Sequence, residues 1–146
     1  MKISSDKSTQ IAKSTGLGIA KFAQAIKSLK PDLLIILGDR YEALSIASAS
    51  LFMQVPIAHI HGGEVTVGSI DDSIRHSISK MSWWHFVATR QYRKRVIQLG
   101  ESSKRVYNVG SLGVENIKKI TLIKKNQLEK LLKIKLNKRN FLITYH

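Results

Sequence analysis

Lys30-Pro31-Asp32-Leu33-Leu34-Ile35-Ile36-Leu37-Gly38-Asp39-Arg40 is the stretch that decides the fold. Leu33–Leu37 is apolar without interruption, so neither face of the segment is suited to water. That is how a strand buried in a parallel sheet reads. Pro31 closes the segment before it, Gly16–Leu29, where Leu17, Ile19, Ala20, Phe22, Ala23, Ile26 and Leu29 recur with a helical period. Gly38 ends the strand. Working outward, Tyr41–Met53 reads as an Ala/Ser-rich helix that packs closely on a sheet, Val55–Ile60 as a strand and His61–Ile70 as a loop. Asp71–Met81 (helix), His85–Thr89 (strand), Gln91–Leu99 (helix) and Arg105–Val109 (strand) continue the alternation. Val114–Ile120 and Asn126–Ile134 (helices) and Phe141–Thr144 (strand) complete it. Strand–helix alternation at this spacing predicts an α/β fold with a doubly wound, mostly parallel, Rossmann-like sheet.

The 146 residues suit one domain of ordinary size, and 43% hydrophobic residues are enough to close a core. The absence of cysteine excludes disulfides and thiolate metal sites. The apolar runs fall far short of the roughly 20 residues a membrane span needs, and Met1–Asp6 has no apolar signal region. A soluble, cytoplasmic protein is expected. The formal net charge of +14 is unevenly spread: residues 1–89 carry +2 and residues 90–146 carry +12, chiefly in Arg90–Arg95 and Lys118–Arg139. Lysines around Leu128, Leu131 and Leu132 read as a solvated helix face. Without stacking aromatics or a reading helix in that stretch, nucleic acid is not the expected partner.

In parallel α/β sheets ligands bind at the carboxyl ends of the strands. Polar residues gather there four times: Gly38-Asp39-Arg40, His61-Gly62-Gly63-Glu64, Gly110-Ser111, and His146 after the last expected strand. Asp39-Arg40 fits an ordinary capped helix start as well as it fits a site. The paired glycines fit either a flexible turn or a close backbone approach to an anion, flanked by His61 and Glu64 as proton-moving groups. Asp71 and Asp72 open a helix with acids, yet Arg75 shares a face with both, at i+4 and i+3. Trp83-Trp84 reads as packing between helix and strand. Phosphate-loop and dinucleotide glycine patterns are absent after the strands, Gly16-Leu17-Gly18 lacks a preceding strand, and the five histidines show no metal-ligand spacing.

Several ordered stretches together resemble the UDP-N-acetylglucosamine 2-epimerase family, in its hydrolysing branch from sialic- and legionaminic-acid-type sugar synthesis. They are Lys30-Pro31-Asp32, Gly38–Leu44, Val55–Glu64, Ile70–His76, Arg95–Glu101, Asn108–Gly113 and Leu142–His146. His61-Gly62-Gly63-Glu64-Val65 stands where the non-hydrolysing branch has Glu-Ala-Gly-Leu-Arg, which favours the hydrolysing branch. The resemblance implies a GT-B architecture of two Rossmann-like domains with a sugar nucleotide between them. Residues 1–120 would be the latter half of the first domain, and 121–146 a linker helix and the first strand of the second. A truncated or split product, inactive on its own, is therefore expected. A sheet lacking the family's opening strand would expose an edge and an apolar face, so self-association is expected.

The chemistry implied by the resemblance removes the C2 proton of the sugar as UDP leaves C1. Water then adds to the resulting glycal, giving a free manno-configured amino sugar, with no cofactor and no metal. By motif position Asp39 and Asp71 are the acid/base candidates, Arg75 orients them, and His146 lies near the leaving diphosphate. Arg40 would contact the nucleotide, with Gly62, Gly63, Asp72 and Ser111 in substrate binding. Some relatives carry a catalytic glutamate where this chain has His61, so either His61 or Glu64 inherits that role. Both UDP-N-acetylglucosamine and a UDP-2,4-diacetamido-trideoxy sugar fit as substrate. The alternative is a catalytically dead remnant that binds a nucleotide sugar or a partner subunit.

Overall fold

The computed structural model describes residues 5–145, with side chains over 8–145. The chain divides into two compact units, Met1–Leu112 and Gly113–His146. In the first, α1 (Ser5–Leu29) precedes β1 (Leu34–Leu37), α2 (Tyr41–Phe52), β2 (Ile57–Ile60), α3 (Ile70–Met81) and β3 (Trp84–Val87). Then come α4 (Arg90–Gln98), a 3-10 turn at Ser103–Arg105 and β4 (Val106–Asn108).

Helix α1 extends well upstream of the expected Gly16 start and runs through Gly16-Leu17-Gly18. The local cause is tertiary. A Cβ on Gly18 would lie 2.8 Å from Ser45 Oγ, and that hydroxyl reaches the Thr15 carbonyl at 3.1 Å. The glycine is where α2 closes on α1, and that packing outweighs its poor helix propensity.

The four strands are all parallel and lie in chain order β1-β2-β3-β4. Right-handed crossovers that always advance in one direction stack their helices on a single face. Accordingly Ile36 and Ile57 pack with Ala47 of α2 and Ile74 and Ile78 of α3, while Val87 and Val106 pack with Val96 of α4. His59 and His85, paired in register, point into the same covered face and are fully buried. The opposite face carries Ile35, Leu37, Ala58, Trp84, Phe86 and Tyr107. Ile35 stays 67% exposed and Leu37 59%, and Phe86 and Tyr107 stack at 5.6 Å. Among the described residues of this unit no second helical layer covers it, so this unit supplies one helical layer of the expected sheet. Trp83 is not core either: it is half exposed, with the Arg105 guanidinium 3.9 Å over its ring.

The second unit, taken by itself, holds most of α5 (Leu112–Lys119) and α6 (Lys125–Leu132). Its described side chains are exposed apart from Leu128, Glu129 and Leu136, which are half-buried. The expected strand Phe141–Thr144 does not form. Phe141 and Leu142 are almost wholly exposed, and no described segment pairs with them. Apolar, β-prone sequence makes a strand only where a neighbour takes up its N–H and C=O groups. His146, expected at the end of that strand, lies outside the described residues.

Candidate active site

Strands β1 and β2 deliver the first two candidate segments side by side, because the Gly38 N–H still donates to the Ile60 carbonyl at 3.2 Å. Gly38 turns the chain with φ +83°, a conformation that favours glycine. Asp39 therefore leaves β1 just ahead of α2 but does not cap it. The N-cap is Arg40, without a side-chain cap bond. Asp39 Oδ2 instead accepts a close hydrogen bond from Arg75 Nη2 of α3, 36 residues away, with both side chains largely buried. Arg75 Nη2 also donates to Thr66 Oγ1 at 3.1 Å, and Nη1 lies 3.9 Å from Asp72 Oδ1. Nη1 is buried and has no hydrogen-bond acceptor. An unpaired buried donor is unusual, since buried donors are nearly always paired.

The turn after β2 holds the second group. The His61 N–H donates to the Phe86 carbonyl at 2.9 Å, so the residue is pinned between β2 and β3. Its φ of +65° is uncommon for a side-chain-bearing residue, and such backbone outliers cluster at functional sites. His61 Nδ1 meets Glu64 Oε1 at 2.7 Å, making one coupled dyad of what the sequence offered as alternatives. The two glycines between them have packing reasons. A Cβ on Gly62 would stand 3.0 Å from Ser79 Oγ, and one on Gly63 (φ +77°) 2.5 Å from the Tyr92 carbonyl. Arg95 of α4 donates closely to the Gly63 carbonyl. Both glycines are buried, so they shape the turn whatever it binds.

Asp71 opens α3. Ser69, the N-cap, accepts from the Asp71 N–H at 3.2 Å, and its hydroxyl donates to Asp71 Oδ2 at 2.9 Å. The Asp71–Arg75 pairing allowed by helical spacing is replaced by Asp39–Arg75, because the long-range carboxylate approaches the guanidinium more closely. Asp72 accepts from the Thr66 N–H at 3.1 Å and stands 3.8 Å from His76 Nε2. Arg40 is exposed and holds Glu42 at 3.2 Å, which raises the guanidinium pKa; the Glu42 carboxyl pKa is lowered chiefly by a backbone hydrogen bond, with Arg40 adding to it. Beside Asp71 and Arg40 opens a mostly apolar cleft of about 640 Å³ between α1, α2 and α3, lined also by Tyr41, Leu44 and Ile74. Asp39, His61 and Glu64 lie outside that cleft. Ser111 follows β4 at the other margin of the sheet, three strand spacings from β1, roughly 14 Å.

Sequence reasoning missed Thr66, Ser69, His59 and Arg95. Ser69 was legible as a cap signal before two acids. His59 was legible as the one polar side chain within Ile57–Ile60. Arg95 was read only as part of the basic excess at Arg90–Arg95 and of the stretch Arg95–Glu101, whereas Arg95 and Arg93 bond backbone carbonyls: Gly63 for the first, Val106 at 3.0 Å and Ser103 at 2.8 Å for the second. Beneath the site, His85 lies 3.3 Å from Glu101, which is also held by Lys80 at 2.5 Å. Burial lowers the His85 pKa, against the pull of Glu101.

A family model described as UDP-N-acetylglucosamine 2-epimerase matches residues 1–146. The chain is 52% identical, over 99% of its own length and 38% of the relative's, to a GDP/UDP-N,N'-diacetylbacillosamine 2-epimerase (hydrolyzing) of Campylobacter jejuni. It is 42% identical, over 100% of its length and 37% of the relative's, to the polysialic acid biosynthesis protein P7 of Escherichia coli. The fold matches the UDP-GlcNAc 2-epimerase from Neisseria meningitidis bound to UDP-GlcNAc with a TM-score of 0.70 at 22% identity, over 84% of this chain and 36% of that one. The chain thus spans well under half the length of the relatives it matches. It belongs to the UDP-N-acetylglucosamine 2-epimerase family.

Proposed function

We propose that this chain carries the acid/base half of a hydrolysing sugar-nucleotide 2-epimerase, acting on a UDP-linked 2-acetamido sugar. The observation that carries the reading is the Asp39–Arg75 pair, which joins the end of β1 to the face of α3 at the carboxyl edge of the sheet, next to the His61–Glu64 dyad. The relatives' names supply the substrate class, with a 2,4-diacetamido-trideoxy sugar favoured by the bacillosamine-type enzyme and UDP-N-acetylglucosamine as the simpler case.

In this reading a carboxylate, Asp39 or Asp71, takes the C2 proton as the C1–O bond to the diphosphate breaks and C1=C2 forms. Arg75 holds Asp39 in place and offers Nη1 to a substrate oxygen. Water then adds its hydroxyl to C1 while a proton reaches C2 from the opposite face. The His61–Glu64 dyad is placed to pass that proton, with the imidazole touching the sugar and Glu64 supporting it. Arg40 would take the nucleotide, while Gly62, Gly63, Asp72 and Ser111 shape or contact its surroundings. His146 would face the departing diphosphate. The family's two-domain GT-B architecture and the assignment of 1–120 and 121–146 to successive domains belong to the same reading, as does action in the cytoplasm. Self-association is part of it too, supported by the open apolar face of the sheet.

The test is incubation of the chain, with the remaining segments of the family's enzymes supplied, with UDP-N-acetylglucosamine or its 2,4-diacetamido analogue in D₂O, followed by NMR. UDP and a free manno-configured sugar deuterated at C2 are expected. Products without deuterium at C2 overturn the proton-abstraction chemistry. Tight UDP-sugar binding without products favours the second reading, a binding module without turnover, which the partial coverage of the relatives supports.

A further inference from the structure

His59 sits on the covered face of β2, fully buried, two residues before the His61 turn. Its Nε2 is 2.8 Å from the Gly38 carbonyl and its Nδ1 3.1 Å from Ser79 Oγ. A carbonyl can only accept, so Nε2 must carry the hydrogen. A neutral imidazole then has a lone pair on Nδ1, and the Ser79 hydroxyl donates to it. The two bonds leave in opposite directions along the site. Gly38 forms the turn that aims Asp39, and Ser79 stands one helical turn after Arg75 on α3. The ring also forms the floor beneath the second candidate group, since a Cβ on Gly62 would lie 3.1 Å from Nδ1.

We infer that His59 is a positioning residue: as the neutral Nε2–H tautomer it ties the turn that carries Asp39 to the helix that carries Arg75. The inference rests on the Asp39–Arg75 reading of the site and assigns its geometry to a side chain that touches no substrate. A leucine could fill the same volume in the strand, but it would take this partner from the half-buried Gly38 carbonyl and from the buried Ser79 hydroxyl. Glutamine keeps a donor at the Nε2 position. The role is therefore separable from packing.

Isotope-labelled protein provides the test. Long-range ¹H–¹⁵N spectra are expected to show His59 protonated at Nε2 and unprotonated at Nδ1 at neutral pH. The Arg75 guanidinium resonances, resolved in wild type by the Asp39 contact, are expected to persist in His59→Gln and to average out in His59→Leu. UDP-N-acetylglucosamine affinity is expected to fall about tenfold in His59→Leu and to be largely restored in His59→Gln. Should His59→Leu fail to fold, Ser79→Ala serves instead: the Gly38 carbonyl keeps the Nε2–H tautomer, while the lost tie to α3 is expected to average out the Arg75 guanidinium resonances. A His59 ring protonated at Nδ1, or Arg75 resonances unchanged in His59→Leu, overturns the inference. Wild-type protein with the expected tautomer and Arg75 resonances but no affinity for the nucleotide sugar overturns the functional reading while leaving the positioning role intact.

Discussion

At the scale of single residues, a few side chains are asked to do two things: hold geometry and move protons. Asp39→Asn keeps an oxygen for Arg75 and removes the basicity, so in a full-length version turnover of UDP-sugar should fall by about 10²- to 10⁴-fold with little change in thermal unfolding. Near-normal kcat would remove Asp39 from the chemistry. His59 makes a separate prediction about stability. Burial is the main cause that lowers its pKa from 6.5 to about 4, reinforced by neighbouring His85, Arg75 and His61 and opposed by the Gly38 carbonyl. The folded state thus takes up this proton later than the unfolded chain does. The contribution of neutral His59 is fully present above pH 6.5 and lost as pH falls from 6.5 to about 4, amounting to on the order of 3 kcal/mol. Chemical denaturation between pH 7 and pH 4 should show that slope, and His59→Gln should flatten it. An equal slope in both proteins would assign the acid sensitivity to other groups.

At the scale of elements, turns matter more than helices. Gly63 has φ +77° and no room for a methyl group against the Tyr92 carbonyl. Gly63→Ala should cost about 2–3 kcal/mol in denaturant unfolding and displace the His61–Glu64 dyad, while a change within error would show that the turn can re-form. The same elements show what sequence could and could not reveal. The unbroken apolar run Leu33–Leu37 and the acids opening α3 announced strand and helix, because burial on both faces and helix-start chemistry are local properties. The start of α1 was hidden, since only the approach of Ser45 explains a glycine at position 18. The expected Phe141–Thr144 strand shows the converse: β-prone sequence is no strand until another segment pairs with it. Asp39, His61 and Glu64 were legible as candidates by their place after strands, and Arg75 by its helical spacing from Asp71 and Asp72. Their actual partners were not, because Asp39 chose Arg75 over a helix cap and Asp71 chose Ser69 over Arg75.

At the scale of the whole molecule, among the described residues of the first unit, one face of the sheet is built and the other is open. Ile35, Leu37, Trp84, Phe86 and Tyr107 present a continuous apolar surface beside the free edge of β1, and such surfaces associate. Sedimentation should show concentration-dependent self-association that Ile35→Lys weakens; a monomer at all concentrations would contradict it. Within the +12 carried by residues 90–146, Arg93 and Arg95 of α4 hold backbone carbonyls. The claim beneath all of this is that the turns after β1 and β2 and the start of α3 share one sugar-nucleotide site. Titration of isotope-labelled protein with UDP-N-acetylglucosamine, followed by amide and side-chain NMR, tests it most directly. The account predicts saturable shifts at Gly38–Arg40, His61–Glu64 and Thr66–Arg75, weakened in Arg75→Lys. Shifts confined to the basic residues beyond Arg90 would contradict it.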